Sequence, residues 1–214
     1  MRNALKKIII LGAGDHAREQ YFHIQDIWGD DFEAIFVDDF IDKTSHFLKG
    51  REIQIVKNWK FPNDFKQFVV GLSEPRAKKI MCEKALQAGL LPAPTLIHPR
   101  ATVQDAKLGM GGLIGPGAVL TTNIELGNYV VINYNVTIGH DSLIENFVTI
   151  NPGANIAGRT RLKEGVEFGS GAITKQKISI ASWCKIGAQA AVVKSIEEES
   201  TVWAGVPARL LKRI

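Results

Sequence analysis

From Leu108 to Val192 an apolar residue returns at every sixth position. The series runs Leu108, Ile114, Leu120, Leu126, Ile132, Ile138, Ile144, Ile150, Ile156, Leu162, Phe168, Thr174, Ile180, Ile186 and Val192, and only Thr174 breaks it. Four positions after each stands a mostly small or β-branched residue, among them Gly112, Ala118, Val136, Ala154 and Ala190. A period of six fits neither a helix of 3.6 residues per turn nor a strand that alternates every two. It fits a chain that makes a short strand, turns a corner and makes another, with the apolar residue inside a prism. Gly and Asn tolerate the backbone conformations that such corners need. Three hexads close one coil, so the series predicts about five coils of a parallel β-helix. An ordinary β-sandwich would need the whole register to arise by accident.

The first half of the chain has a different texture. Residues 7–11 read as a buried strand, Gly12-Ala13-Gly14 as a turn, and a helix is expected from about residue 16. Residues 34–37 and 67–70 read as further strands, ending at Asp38-Asp39 and Gly71. Ser73 is a suitable N-cap, Pro75 suits a first turn, and residues 76–88 read as a helix closed by Gly89. This order predicts a small Rossmann-like α/β layer around a parallel sheet. Pro92, Pro94 and Pro99 punctuate the passage into the repeat. The expected division is an α/β domain over residues 1–95 and a β-helix domain with a C-terminal tail over 96–214.

Charge and composition exclude several classes of function. A net charge of +4 without a basic run argues against nucleic acid as a partner and suits small anions. Cys82 and Cys184 have neither metal-ligand spacing nor a disulfide framework, which suits a reducing compartment. Near the start only residues 8–11 form an apolar run, too short for a leader or for a membrane span of about 20 residues. A cytoplasmic protein with no membrane insertion is expected. The histidines are His16, His23, His46, His98 and His140, and only His140 falls within the register of the repeat. A three-histidine zinc site on the β-helix is thereby excluded, and no metal is expected.

Gly12-x-Gly14-x-x-Ala17 after a strand is half of a dinucleotide fingerprint. Glycine lets the backbone approach a phosphate, and a helix N-terminus offers free N–H groups. About 95 residues are fewer than two complete mononucleotide halves need, so the pattern is a weak signal for NAD. A tight turn without ligand is the other reading. Asp38 ends the second strand, where an acid reaches a ribose or base edge, or else caps a loop. His140 stands two residues after Ile138 among Asn133, Asn135 and Asp141. An imidazole takes a proton near neutral pH, and a neighbouring carboxylate orients it. Neighbours on a regular strand point to opposite faces, so His140 and Asp141 cooperate only where the strand ends or is irregular. Asn133 suits a hydrogen bond to an acceptor or a corner turn. Gly153 and Gly158 are equal candidates for a backbone oxyanion donor. Arg159, Arg161, Lys163, Lys175, Lys177 and Lys185 suit phosphates or a solvated face.

The hexad series and the ending Trp203-Ala204-Gly205-Val206-Pro207-Ala208-Arg209 resemble the left-handed β-helix of the hexapeptide acyltransferases. Further matches are Gly12-Ala13-Gly14-Asp15-His16, Phe36-Val37-Asp38-Asp39, Val70-Gly71 and Ile138-Gly139-His140-Asp141-Ser142. With them the whole chain resembles the nucleotide-sugar acetyltransferases of bacterial surface-glycan pathways, a family that includes the bacillosamine-precursor N-acetyltransferases. The resemblance implies acetyl-CoA-dependent transfer to the amino group of a nucleotide-linked sugar. His140 would be the general base, Asp141 its partner, and no covalent acyl-enzyme would form. Gly14, Asp15 and His16 would face the pyrophosphate, Asp38 and Asp39 the base, and Gly71 the same cleft. Asn133 would meet the acceptor sugar. Coenzyme A would pass Thr149, Gly158, Ser170 and Ala188 in a groove between the subunits of a homotrimer.

The chain departs from the family at two points. Asp15 replaces a glycine, so its carboxylate must turn away from a diphosphate or lend only its N–H. Thr149 replaces a second histidine. His16, at a helix N-terminus, is expected to stay neutral. The resemblance leaves two other functions open: an O-acetyltransferase of sialic acid or a related sugar, and a non-catalytic nucleotide-sugar-binding β-helix.

Overall fold

The computed structural model describes residues 5–214. Residues 1–4, at the head of the segment read as lacking a leader, lie outside the described residues. The first part of the chain forms β1 (Lys6–Leu11), α1 (Asp15–Trp28), β2 (Phe32–Val37), β3 (Ser45–Leu48), β4 (Arg51–Val56), β5 (Gln67–Val70), α2 (Pro75–Gln87) and β6 (Leu91–Pro92). The strands lie side by side in the order β3-β4-β2-β1-β5-β6. Every pair is parallel except the β3–β4 hairpin.

β1 is central and covered on both faces, which is why it reads as an unbroken aliphatic run. Ile8 and Ile10 pack with Ala17, Tyr21 and Ile24 of α1, while Ile9 and Leu11 pack with Met81, Cys82 and Ala85 of α2. Burying each such side chain stabilises the fold by about 1.5–3 kcal/mol. The hairpin was not expected from the sequence. Its turn is Lys49-Gly50, with φ of 45° and 76° at the two positions. Two-residue hairpin turns need this left-handed geometry, but a lysine does not signal it as Asn or Asp would. Glu74, not Ser73, caps α2, its carboxylate accepting from the Ala77 N–H at 2.6 Å.

The remainder is a three-faced parallel β-helix. The first face begins at Leu96–Ile97, the second at Thr102–Val103 and the third at Ala106–Leu108. Successive coils stack in parallel, Leu113–Ile114 on Leu96–Ile97, then Val131–Ile132, then Thr149–Ile150. The second face carries 6 strands, so there are six coils rather than the expected five. The first coil escaped the hexad count because it is one residue short: Ile97 pairs with Ile114, whereas Ile114 pairs with Ile132. The hexad apolar residues line the interior. Thr174, the exception, is buried too, and its hydroxyl accepts from the Ala157 N–H at 2.9 Å.

The corners are turned by residues in left-handed conformation, stacked one coil apart. Between the second and third faces these are Asn123, Asp141, Arg159 and Lys177, with φ from 53° to 61°. Such a conformation costs a non-glycine residue about 1–2 kcal/mol. A ladder of backbone bonds offsets it: Asp141 N–H to Thr122 O, Arg159 N–H to His140 O and Lys177 N–H to Gly158 O, at 2.8–3.0 Å.

The α/β layer sits on the first face. Leu113 belongs to the core on the α1 side, and Tyr129 and Val131 to the core on the α2 side. Among the described residues no helix is long and apolar enough to cross a membrane.

Candidate active site

His140 and Asp141 lie at the corner between the second and third faces, just past the strand Thr137–Ile138. The left-handed φ of 60° at Asp141 ends the alternation that would have sent the two side chains apart. His140 Nδ1 lies 2.8 Å from Asp141 Oδ2. Asn123, one coil earlier, donates to Asp141 Oδ1 at 2.8 Å, and Arg159 Nε lies 3.4 Å from Oδ2. The hydrogen bond from Asn123 first, then that from His140, push the Asp141 carboxyl down to about 2. An ionised Asp141 favours the His140 tautomer with its proton on Nδ1, which leaves Nε2 free to accept.

Nε2 faces Gly158 on the next coil, where a Cβ would lie only 2.7 Å from it. The two oxyanion candidates separate here. Gly153 N–H is committed to Tyr134 O at 2.9 Å. Gly158 N–H has no acceptor among the described residues. The imidazole is half exposed, its side chain at 53%. Lys175 and Lys177 lie on the same edge, both exposed and outside any ion pair among the described residues. Arg161 is paired with Glu145, and Lys185 with Glu167 and Glu74.

Ser170 and Ala188 are exposed one coil apart, on the edge between the first and second faces. Gly158 is on the other edge, beside His140. Thr149 corrects the sequence reading. It is fully buried beneath α2, donating to Ser73 O at 2.6 Å and accepting from Lys78 Nζ at 2.7 Å. It has no surface to offer coenzyme A within this chain.

The remaining expected residues gather at the carboxyl ends of β1, β2 and β5. Gly14 is the N-cap of α1, and no side chain caps the helix there. The Asp15 carboxylate is exposed and bonded to Arg18, turned along the helix. His16 lies 2.9 Å from Gln20 Nε2. Burial lowers the pKa of His16 and the Lys78 charge lowers it further, against an opposing pull from Glu19. Gly71 is required by packing: a Cβ would lie 2.6 Å from Ile10 Cγ2 and 2.7 Å from Leu11 O.

Asp38 is buried, its Oδ1 accepting from Phe40 N–H at 2.9 Å and Ile41 N–H at 3.2 Å of its own loop and its Oδ2 from Ala13 N–H at 2.9 Å in the turn between β1 and α1. This is the loop-capping arrangement. Asp39 accepts from Trp59 Nε1 at 3.0 Å, Asn58 N–H at 3.1 Å and Lys84 Nζ at 3.3 Å. Burial alone would raise the pKa of Asp39, and these bonds outweigh it and lower it.

Asn133 is buried on the edge between the first and second faces, 3.4 Å from Asn151. Its neighbour Tyr134 packs against His23 of α1. Asn133 therefore lies beside the α/β layer and away from His140. The corner that carries His140 is opposite the first face, where that layer sits. Within one chain the cleft and the His140–Asp141 pair do not meet. Sequence reading missed Asn123, which the coil period would have found one turn before Asp141. It also missed Lys78, for which no periodic signal exists.

No protein-family model matches the chain. GDP-perosamine N-acetyltransferase of Escherichia coli O157:H7 is 31% identical over 175 residues, 79% of this chain and 78% of the relative. The acetyltransferase domain of PglB from Neisseria gonorrhoeae is 29% identical, with a TM-score of 0.84 over 96% of this chain and 100% of that one. The same domain has been solved with acetyl coenzyme A. PerB from Caulobacter crescentus, solved with CoA and GDP-perosamine, shares the fold at 20% identity, with a TM-score of 0.82 over 98% of this chain and 99% of that one.

Proposed function

The chain belongs to the hexapeptide-repeat sugar N-acetyltransferases, acetyl-CoA-dependent enzymes built on a left-handed β-helix, and from that premise we propose that it acetylates the amino group of a nucleotide-linked amino sugar. The observation that carries this reading is the corner where His140 Nε2 lies against Gly158, whose N–H is uncommitted among the described residues, while Asp141 lies 2.8 Å from Nδ1.

Nε2 of His140 takes a proton from the acceptor amine as its nitrogen attacks the thioester carbonyl. Gly158 N–H donates to the oxygen on which negative charge develops. The C–N bond forms, the C–S bond breaks, and the proton on Nε2 passes to the departing sulfur. A positioned base contributes about 10²–10⁴ in rate and one oxyanion donor about 10²–10³. Both cysteines are buried and neither contacts His140, which supports direct transfer rather than an acyl-cysteine.

The uncapped N-terminus of α1 at Gly14 suits a pyrophosphate, and a neutral His16 adds an uncharged polar contact. The Asp15 carboxylate, turned to Arg18, is no obstacle to a diphosphate. Asp39 stands at the same strand ends for the base or ribose. Asp38 acts on that site by shaping the loop.

Because the cleft and His140 lie on opposite sides of one chain, the complete site is formed by two. A closed three-fold ring is the assembly that places one subunit's His140 edge against the next subunit's cleft. Coenzyme A then lies between Gly158 of one chain and Ser170 and Ala188 of the other, with Lys175 and Lys177 available for its phosphates. The GDP-perosamine relatives make a GDP-linked amino sugar the first acceptor to try.

Thiol release from acetyl-CoA, followed with a panel of GDP-, UDP- and dTDP-linked amino sugars and mass analysis of the products, tests the reading. Acetyl groups found only on oxygen would favour the O-acetyltransferase. Binding of the sugars without thiol release would favour a non-catalytic binder.

A further inference from the structure

Lys78 is fully buried on α2, and no step above uses it. Its Nζ lies 2.7 Å from Thr149 Oγ1 and 3.1 Å from Val148 O. The Thr149 hydroxyl gives its one proton to Ser73 O at 2.6 Å, so it accepts from Lys78. Ser73 follows Gly71 at the rim of the cleft. A single line of hydrogen bonds thus runs from the buried amine through the β-helix to that rim.

The site suits the uncharged amine. A neutral lysine has two N–H groups and finds two acceptors here, whereas an ammonium would carry a third N–H without a partner. No carboxylate lies within hydrogen-bond distance of Nζ among the described residues. Glu74 and Glu167 face it from farther away, and Lys185 pairs with both, at 3.4 and 3.0 Å. Cys82 faces it from its own helix and His16 from α1. Lys78 also sits in the first turns of α2, where the helix dipole opposes a cation. Burial pushes its pKa down to about 7. An amine so poised gains charge when an anion enters nearby, because a negative charge favours the protonated form.

We propose that Lys78 is a positioning residue for the acceptor: through Thr149 it fixes the Ser73 rim, and it takes up a proton when the diphosphate of a nucleotide sugar enters the cleft. The proposal rests on the reading of that cleft as the nucleotide-sugar site. Charge on Lys78 favours the bound diphosphate, so acceptor affinity falls as pH rises past neutrality.

The test compares wild type, Lys78→Met and Thr149→Val by thiol release between about pH 6.5 and 9, with the panel of nucleotide amino sugars, and by thermal melting. In wild type the acceptor KM is expected to rise about five- to tenfold over that range, with the acetyl-CoA KM unchanged. Lys78→Met is expected to start with the high acceptor KM and show no further rise, with kcat within about threefold. Thr149→Val is expected to raise the acceptor KM at every pH while keeping its pH dependence. A Lys78→Met enzyme with the wild-type profile, or one in which kcat and both KM values worsen together, would overturn the proposal. Should Lys78→Met not fold, an unchanged acceptor KM in Thr149→Val overturns it equally. A wild type active on a nucleotide amino sugar with a flat acceptor KM refutes the role of Lys78 alone. A wild type inactive on all of them refutes the reading of the cleft, and this proposal with it.

Discussion

Adding one methyl group at Gly158 is expected to disable catalysis without unfolding the protein. A Cβ there would lie 2.7 Å from Nε2, 2.9 Å from Cδ2 and 3.0 Å from Cε1 of His140. Comfortable contact between such atoms is about 3.5–4.0 Å, so the ring must retreat by about 1 Å. The backbone at Gly158 is not left-handed, so alanine brings no conformational strain. The obstacle is the tip of a half-exposed side chain, which swings outward at little cost. In swinging it loses the 2.8 Å bond to Asp141 and its aim at the acceptor. A misplacement of about 1 Å costs on the order of 10²-fold in rate. Gly158→Ala should therefore lower kcat about 10²-fold in the thiol-release assay, with a melting temperature within about 2 °C of wild type. In a His140→Ala background the same methyl should cost nothing further, because the group it displaces is gone. Wild-type kcat in the single variant, or full additivity in the double, would refute the argument.

Asp38→Ala should raise the acceptor KM and lower stability while leaving kcat within a few-fold, since three loop amides lose a charged acceptor worth about 1.5–3 kcal/mol each; a large fall in kcat at unchanged KM would contradict this. Burial first, and the charge of His98 next, push His23 down to about 4. The unfolded chain binds that proton from about pH 6.5, so stability is lost as pH falls from there toward 4, with a slope approaching 1.4 kcal/mol per unit. Denaturant titrations showing equal stability at pH 7 and 4.5 would exclude it. Mixing His140→Ala subunits with Ala188→Trp subunits should restore about a quarter of wild-type activity, the share of interfaces that carry neither defect after random exchange. No recovery after verified exchange would mean that the site is built within one chain.

The coil could be read from the sequence because the interior of the prism admits apolar residues and little else, and that constraint repeats at fixed spacing. It failed where the spacing failed, in the short first coil ending at Ile114. The order of β1, α1, β2, β5 and α2 followed from burial on both faces and from Gly12, Pro75 and Gly89. The β3–β4 hairpin carried no comparable signal, because Lys49 adopts a conformation that lysine does not advertise. In the candidate site, the pairing of His140 with Asp141 was legible as chemistry before it was as geometry. Alternation on a strand argued against it until the left-handed turn at Asp141 was seen. Thr149 and Lys78 were beyond the reach of periodicity: their burial results from docking α2 onto the first face, a tertiary event that no local pattern records. Asp38 was correctly placed at the end of its strand, but which partner its carboxylate would find depended on the path of the loop after it.

The central claim is that His140 serves as the base for acetyl transfer to an amine on a nucleotide-linked sugar. It is tested most directly by acetyl-CoA thiol release with wild type and His140→Ala, each given a nucleotide amino sugar and its counterpart with a hydroxyl in place of the amine. One thiol is expected per acetylated amine in wild type, with no transfer to the hydroxyl sugar and a rate about 10²–10⁴ lower in His140→Ala. Equal transfer to the hydroxyl sugar, or a His140→Ala enzyme with wild-type kcat, would contradict it.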